Sequence, residues 1–104
     1  MAQKNLKGII QQTAQGRASY EIYEANSDFL AKLAQVLESH FGFQAIRNPL
    51  DGVDVIYWDF ARDDIQVTLG WDIWSGCFVF ATSEAGDEII HQIGQYLEQV
   101  LHEL

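Results

Sequence analysis

Hydrophobic residues follow two different spacings along this chain. Residues 27–41 and 87–104 place apolar side chains on one face of a helix, and a stripe of this kind has to be buried against another apolar surface. Between these segments the spacing changes to two, which predicts strands at about 43–47, 53–60, 65–73 and 77–82. The pattern therefore predicts an α+β fold, a four-stranded antiparallel meander sheet with two helices packed on one face.

The strand pattern also assigns side chains to the two faces of the sheet. A four-residue loop at 61–64 pairs Trp58 with Val67, which puts both on the apolar face and Tyr57 on the other. The next hairpin has two alternatives. A two-residue loop at Ser75-Gly76 buries Phe78 and Phe80 beside Trp71, whereas a three-residue loop at 74–76 puts both phenylalanines on the second face. The first alternative is favoured because it buries more aromatic area.

The N-terminal segment is harder to assign. Apolar residues within residues 3–15 have roughly helical spacing and Gly16 is a plausible stop, so a short N-terminal helix is predicted, although Ile9-Ile10 also suits a strand. Residues 19–24 fit either an edge strand or an extended connection. The helix has three options: to cover the second sheet face, to project to a partner, or to fold back on the body.

The charged residues divide the chain into a short basic N-terminal segment and a long acidic body. The 104 residues fit a single domain, 1–104, and carry six basic and fifteen acidic residues, a net charge of −9. Every acid lies at or beyond Glu21, so residues 21–104 hold three bases against fifteen acids, a net charge of −12. Residues 1–18 form a basic leader that is either mobile or packed on this acidic body. An acidic body repels phosphate backbones and anionic lipid, so no nucleic-acid or membrane partner is expected, and a protein partner with a basic or apolar surface is favoured.

Cysteine content indicates a compartment. Cys77 is the single cysteine, so no intrachain disulfide can form and a reducing environment is expected. The N-terminus is too polar for a signal peptide, and no apolar run reaches the length of a membrane span. These features predict a cytoplasmic protein.

The residue types that carry catalysis are poorly placed for it. No glycine-rich phosphate-binding motif occurs. His91 and His102 would lie about 16 Å apart along one helix, too far to share a metal ion. Cys77 has no adjacent basic residue to lower its pKa. We therefore predict no catalytic residue, metal site or cofactor, and an enzyme is disfavoured.

Acidic and aromatic residues converge at one end of the predicted sheet. The meander brings the turn at 48–52 and the turn at 74–76 together, which gathers Asp51 and Asp72 beside Trp74. Exposed tryptophan is enriched at binding hot spots, and Tyr57 adds an aromatic ring on the second face. Asp51, Tyr57, Asp72 and Trp74 are the predicted partner-binding residues.

These features lead to two functional hypotheses. The first is an acidic, non-enzymatic interaction or regulatory module of the adaptor, inhibitor or chaperone type. The alternative is a small ligand-binding domain or enzyme, with a pocket between sheet and helix or at a dimer interface, that uses Asp54, Asp72, His40 or Tyr57. A homodimer is compatible with both, because an aromatic second face needs either the leader helix or a second copy to cover it.

Overall fold

The sheet of this protein has seven antiparallel strands, as a computed structural model that describes residues 6–104 shows. The predicted four-stranded meander is therefore wrong in strand number, although the α+β class holds. In spatial order the path runs β1-β2-β7-β6-β5-β3, and β4 pairs with β5 beside β3. The strands are β1 (Gly8–Gln12), β2 (Ala18–Ile22), β3 (Gln44–Ala45), β4 (Leu50–Asp51), β5 (Val55–Arg62), β6 (Ile65–Asp72) and β7 (Gly76–Ala81).

Two helices cover one face of this sheet. They are α1 (Phe29–Ser39) and α2 (Glu84–Val100), and a short 3-10 turn, Leu101–Glu103, follows α2. Both lie within the ranges that hydrophobic spacing indicates, apart from an earlier start of α2. Their apolar stripes enclose one core with the sheet, in which Phe60, Leu69 and Ile90 are almost completely buried. No helix in residues 6–104 has both the length and the apolar character needed to cross a membrane.

The predicted N-terminal helix is wrong, because this segment forms a hairpin of β1 and β2. Gly16, expected to stop a helix, instead lies in the hairpin loop with φ 83°, where it donates its N–H to the Thr13 carbonyl at 2.9 Å. Strand β2 is fully internal, between β1 and β7. Within the described residues the leader therefore extends the sheet as an additional strand rather than forming a helix over one of its faces. Residues 1–5 of the predicted leader lie outside the described residues.

Tyr20 explains how β1 is held against the body. Its side chain is completely buried, and its ring lies against Gly8 of β1 and Gly94 of α2. A Cβ atom on Gly8 would overlap Cζ and the hydroxyl of Tyr20, and one on Gly94 would lie 2.9 Å from Cδ1 of the ring. Only glycine at these two positions leaves room for the ring at this distance.

The favoured register of the β6–β7 hairpin is also wrong. Asp72 pairs with Gly76 and Trp71 with Cys77, so the loop consists of residues 73–75. Gly76 follows the loop with φ 76°, a conformation that suits glycine and sets this register. Phe78 and Phe80 therefore lie on the second face, as the alternative with a three-residue loop at 74–76 predicted. The observed strand pairing is shifted by two residues from that alternative.

The β5–β6 hairpin differs from expectation in its register but not in its faces. Its loop is the dipeptide Asp63-Asp64, with Asp63 at φ 56°, rather than the four residues 61–64. Val67 consequently pairs with Phe60 rather than with Trp58, which is a shift of two residues from the predicted pairing. Since side chains alternate with period two, a shift of two residues leaves every side chain on its predicted face.

Candidate functional site

Five large apolar side chains are exposed at the end of the sheet where β4 and β5 meet the β6–β7 loop. Their exposed fractions are 95% for Val53, 75% for Trp74, 65% for Leu50, 52% for Ile73 and 42% for Tyr57. We call these five residues, together with the acidic residues Asp51, Asp54 and Asp72, the tip surface. Singly exposed apolar residues are normal on proteins, whereas exposed apolar residues grouped at one place are typical of interaction sites.

Backbone pairing brings these residues together from three parts of the chain. Leu50 of β4 pairs with Tyr57 of β5. The Ile73 N–H donates to the Asp54 carbonyl at 3.2 Å, which ties the β6–β7 loop to the residue that precedes β5. The turn between β4 and β5 is closed by the Gly52 N–H, which donates to the Val55 carbonyl at 2.8 Å. The tip surface is therefore built on ordered backbone.

Asp72 positions Trp74. Its Oδ1 atom accepts the backbone N–H of Trp74 at 2.9 Å and that of Ser75 at 2.6 Å. An aspartate that accepts two backbone N–H groups fixes the shape of a turn. The indole of Trp74 is thus presented to solvent by a loop whose conformation is constrained.

The four predicted partner-binding residues share one end of the sheet but not one face. Tyr57 and Asp72 lie on the face without helices, because Val55, two residues before Tyr57, pairs with Asp72. Asp51 pairs with Ile56 and so lies on the helix side. Trp74 occupies the loop between the two. The end of the sheet, rather than either face, is what these residues have in common.

The tip surface carries negative charge that nearby bases do not neutralise. Within residues 6–104, Asp51, Asp54 and Asp72 form no ion pair. The nearest arginine in sequence, Arg47, pairs instead with Asp59, with Nη1 and Oδ2 2.9 Å apart. Unpaired surface carboxylates favour a partner that brings positive charge.

Leu50, Val53 and Ile73 were not singled out from sequence. Each is an ordinary core residue by type, and the spacing of 65–73 placed Ile73 in a strand. Their exposure follows from the ends of the strands: β6 stops at Asp72, and β4 contains two residues only. A signal was present in Asp51-Gly52-Val53-Asp54, where turn formers flank a lone valine.

The face without helices is aromatic beyond the tip. Phe78 lies flat on Gly70, where an added Cβ would come within 2.5 Å of the Phe78 Cε1 atom. Its ring centroid is 6.1 Å from that of Tyr57 and 5.9 Å from that of Phe80. Phe78 is nevertheless buried, because neighbouring side chains of the sheet surround it. Close packing within the sheet therefore shields part of this face from solvent.

A cleft lies on the helix side of the sheet between α1 and the end of α2. It measures about 410 Å³. His40 and Tyr96 stack in it with centroids 3.8 Å apart, and Lys32 and Glu103 line its rim. The core between the two helices and the central strands is filled, since the cavity among Leu33, Leu69 and their neighbours measures about 10 Å³, whereas a groove of about 410 Å³ lies between β1 and α2 at the edge of the sheet. Of the residues considered for a ligand pocket, His40 lines the cleft, whereas Asp54, Asp72 and Tyr57 do not.

Groups that could carry covalent or metal chemistry are inert or dispersed. Burial raises the pKa of the Cys77 thiol to about 12, and its Sγ atom lies 3.3 Å from the Asn26 carbonyl. The thiol is therefore protonated near neutral pH. In the part of the chain that the structure describes, no three His, Cys, Asp or Glu side chains form a group that could hold a metal ion.

Known proteins offer no guide to this site. No model of a protein family matches the sequence, and searches of curated proteins and of solved structures returned no match either.

Proposed function

We propose that this protein is a non-enzymatic interaction module that binds a protein partner with a basic and apolar surface through the tip surface. The observation that carries the proposal is the convergence of five exposed apolar side chains with three unpaired carboxylates. Trp74 serves as the anchor, because tryptophan supplies a large contact area and Asp72 holds its loop in place. The acidic residues attract the partner and select a basic surface.

The net charge supports the same class of partner. The body from residue 21 onward carries −12, so a basic partner is attracted from a distance and a nucleic acid is repelled. A regulatory or adaptor role in the cytoplasm agrees with this charge and with the single buried cysteine.

Site-specific photo-cross-linking in the native cell tests the proposal. A photoreactive amino acid at Val53 is expected to capture one partner repeatedly, because this side chain of the tip surface is almost fully exposed. The same amino acid at Gln92, an exposed position on α2, is the matched control and is expected to capture nothing in common with it.

Replacement of Trp74 provides the second part of this cross-linking experiment. Trp74→Ser in the Val53 cross-linking protein should abolish capture, and Ile46→Ser, at an exposed apolar position outside the tip surface, should leave it unchanged. Capture should also weaken as salt is raised. Equal capture from Val53 and Gln92, or capture that survives Trp74→Ser, would contradict the proposal.

Small-molecule binding is the second candidate function, and the interhelical cleft is the observation that favours it. The stacked His40 and Tyr96 offer an aromatic wall, while Lys32 and Glu103 offer one charge of each sign. A ligand that binds there would raise the melting temperature through linkage. Thermal-shift screening of metabolites tests this candidate, provided that each hit is lost in His40→Ala.

A further inference from the structure

Strand β1 leaves one edge of the sheet open. It is the last strand on its side, pairs only with β2 in the described chain, and contains Gly8, Ile9, Ile10, Gln11 and Gln12. No residue in it is charged, and no proline interrupts it. Natural proteins usually protect such an edge with charge, proline or a bulge. Among residues 6–104 no strand pairs with the outer side of β1, so this uncharged edge is available for pairing with another strand.

The hydrogen-bond phase of the hairpin shows which backbone groups face outward. The Thr13 N–H donates to the Arg17 carbonyl at 2.8 Å, so residues 13 and 17 form a hydrogen-bonded pair. Hydrogen-bonded and non-bonded pairs alternate along antiparallel strands, so Gln11 and Ile9 also direct their backbone groups toward β2. Gly8, Ile10 and Gln12 consequently direct their N–H and C=O groups to the open edge.

We propose that β1 pairs with β1 of a second copy, antiparallel, about a two-fold axis at Ile10. In this register Gly8 faces Gln12 of the other copy and Ile10 faces itself, so all three outward residues are used in about six hydrogen bonds. The two Ile10 side chains meet on the helix side of the joined sheet. Ile9 then lies opposite Gln11 on the other face.

Charge explains why a second copy fits this edge. Two copies of a chain with net charge −9 repel each other over most of their surface. Residues 1–20 contain no acid, and the nearby Asp87 of α2 is paired with Arg17, with Oδ2 and Nη1 3.2 Å apart. Strand β1 itself carries no charge of either sign, so its edge is where two copies meet with little repulsion.

The exposed apolar side chains point to the same edge. Apart from the tip surface and Ile46, the large apolar residues that are exposed in the described chain are Ile9, Ile10 and Tyr23 of the β1–β2 hairpin. Ile10 also lies over the groove between β1 and α2, which His91 and Asp87 line. Pairing of two β1 strands would join the two grooves and bury Ile10 between them.

Light scattering after size-exclusion chromatography of the full chain, across a concentration series, gives the first test. The unmodified chain is expected to be a dimer. Ile10→Lys places two ammonium groups opposite each other at the axis and should raise the dimer dissociation constant at least about tenfold. Ile9→Lys is the matched control, because that side chain lies on the other face and opposes Gln11, and it should remain a dimer. Circular dichroism should show that both variants are folded.

Cross-linking tests the position of the axis. Ile10→Cys should give a covalent dimer with a short bismaleimide, since the two thiols face each other. Ile46→Cys is the control, with an exposed fraction of 43% in the parent residue against 41% for Ile10, and should give none. Cys77 is buried in both variants and does not react. A monomeric unmodified chain, or a dimer that Ile10→Lys leaves intact and Ile10→Cys does not cross-link, would overturn the proposal.

Discussion

Gly8→Ala is the most direct perturbation of the contact that holds β1 in the sheet. The added methyl group would overlap Cζ and the hydroxyl of Tyr20, and the ring cannot retreat because Gly94 of α2 lies against it. Overpacking of this kind lowers the free energy of unfolding by about 1–3 kcal/mol, whereas replacing glycine by alanine in a strand raises it by about 0.5–1 kcal/mol. The difference is about 0–2.5 kcal/mol. Because the methyl group would overlap several Tyr20 atoms at once, we expect a net loss of about 1–2 kcal/mol within this range and a melting temperature lower by about 5–15 °C.

A double-mutant cycle isolates this contact. Tyr20→Leu removes Cζ and the hydroxyl, the atoms that the new methyl group would meet, so adding Gly8→Ala to it should cost less than about 0.5 kcal/mol. Urea denaturation followed by circular dichroism gives the four free energies of unfolding. If Gly8→Ala costs the same in both backgrounds, then Tyr20 is not what excludes a side chain at residue 8, and the reasoning fails.

Three further predictions concern single groups. Burial, and then the charge of Glu98, raise the pKa of Tyr20 from 10 to about 12. The contribution of the neutral Tyr20 side chain to the free energy of unfolding is therefore complete below pH 10 and is lost as the pH rises to 12. In urea titrations, Tyr20→Phe should lose less stability than the unmodified chain between these two pH values. Cys77 should react with a thiol reagent at pH 8 only after unfolding, because its folded-state pKa is about 12, and rapid labelling of the native chain would refute this. Asp72→Ala should lower the free energy of unfolding by about 1 kcal/mol, since two backbone N–H groups lose their acceptor, while Asp72→Asn, which keeps an oxygen, should lose less than half of that.

Hydrophobic spacing predicted the elements whose partners are close in sequence. The stripe of α2 and the alternation in β5 and β6 depend on residues a few positions apart. The alternation gave the correct face for Trp58, Val67 and Tyr57. The predicted registers of the two hairpins were wrong because the register of a hairpin is set by its loop. Asp63 and Gly76 adopt positive φ at the two hairpins, and nothing in the alternation of the strands specifies which residue does so.

The β1–β2 hairpin shows why the rest could not be predicted. Leu6, Ile9 and Ile10 fit a helix as well as a strand when only local spacing is considered. Their conformation is decided by β2, and β2 is placed by pairing with β7, where Tyr20 lies opposite Val79. A contact between residues so far apart leaves no periodic signal. The sequence predicted only part of the tip surface for the same reason. Its turn residues can be recognised from sequence, but the exposure of Leu50 and Ile73 depends on where the strands end.

The β1 edge and the tip surface lie at different places on the sheet, which leads to a last prediction. Strand β1 is four strand spacings, about 19 Å, from β5 and two spacings, about 10 Å, from β7, which follows the loop that carries Trp74, so pairing at the β1 edge does not use the tip surface of either copy. A dimer then presents two tip surfaces, and binding to a dense layer of partner gains avidity that binding to one partner molecule does not. Ile10→Lys should therefore dissociate from a partner-coated surface at least about tenfold faster than the unmodified chain, with unchanged affinity for partner free in solution. Equal dissociation of the two would show that the tip surfaces act singly, whereas a loss of affinity in solution would mean that Ile10 itself contributes to partner binding.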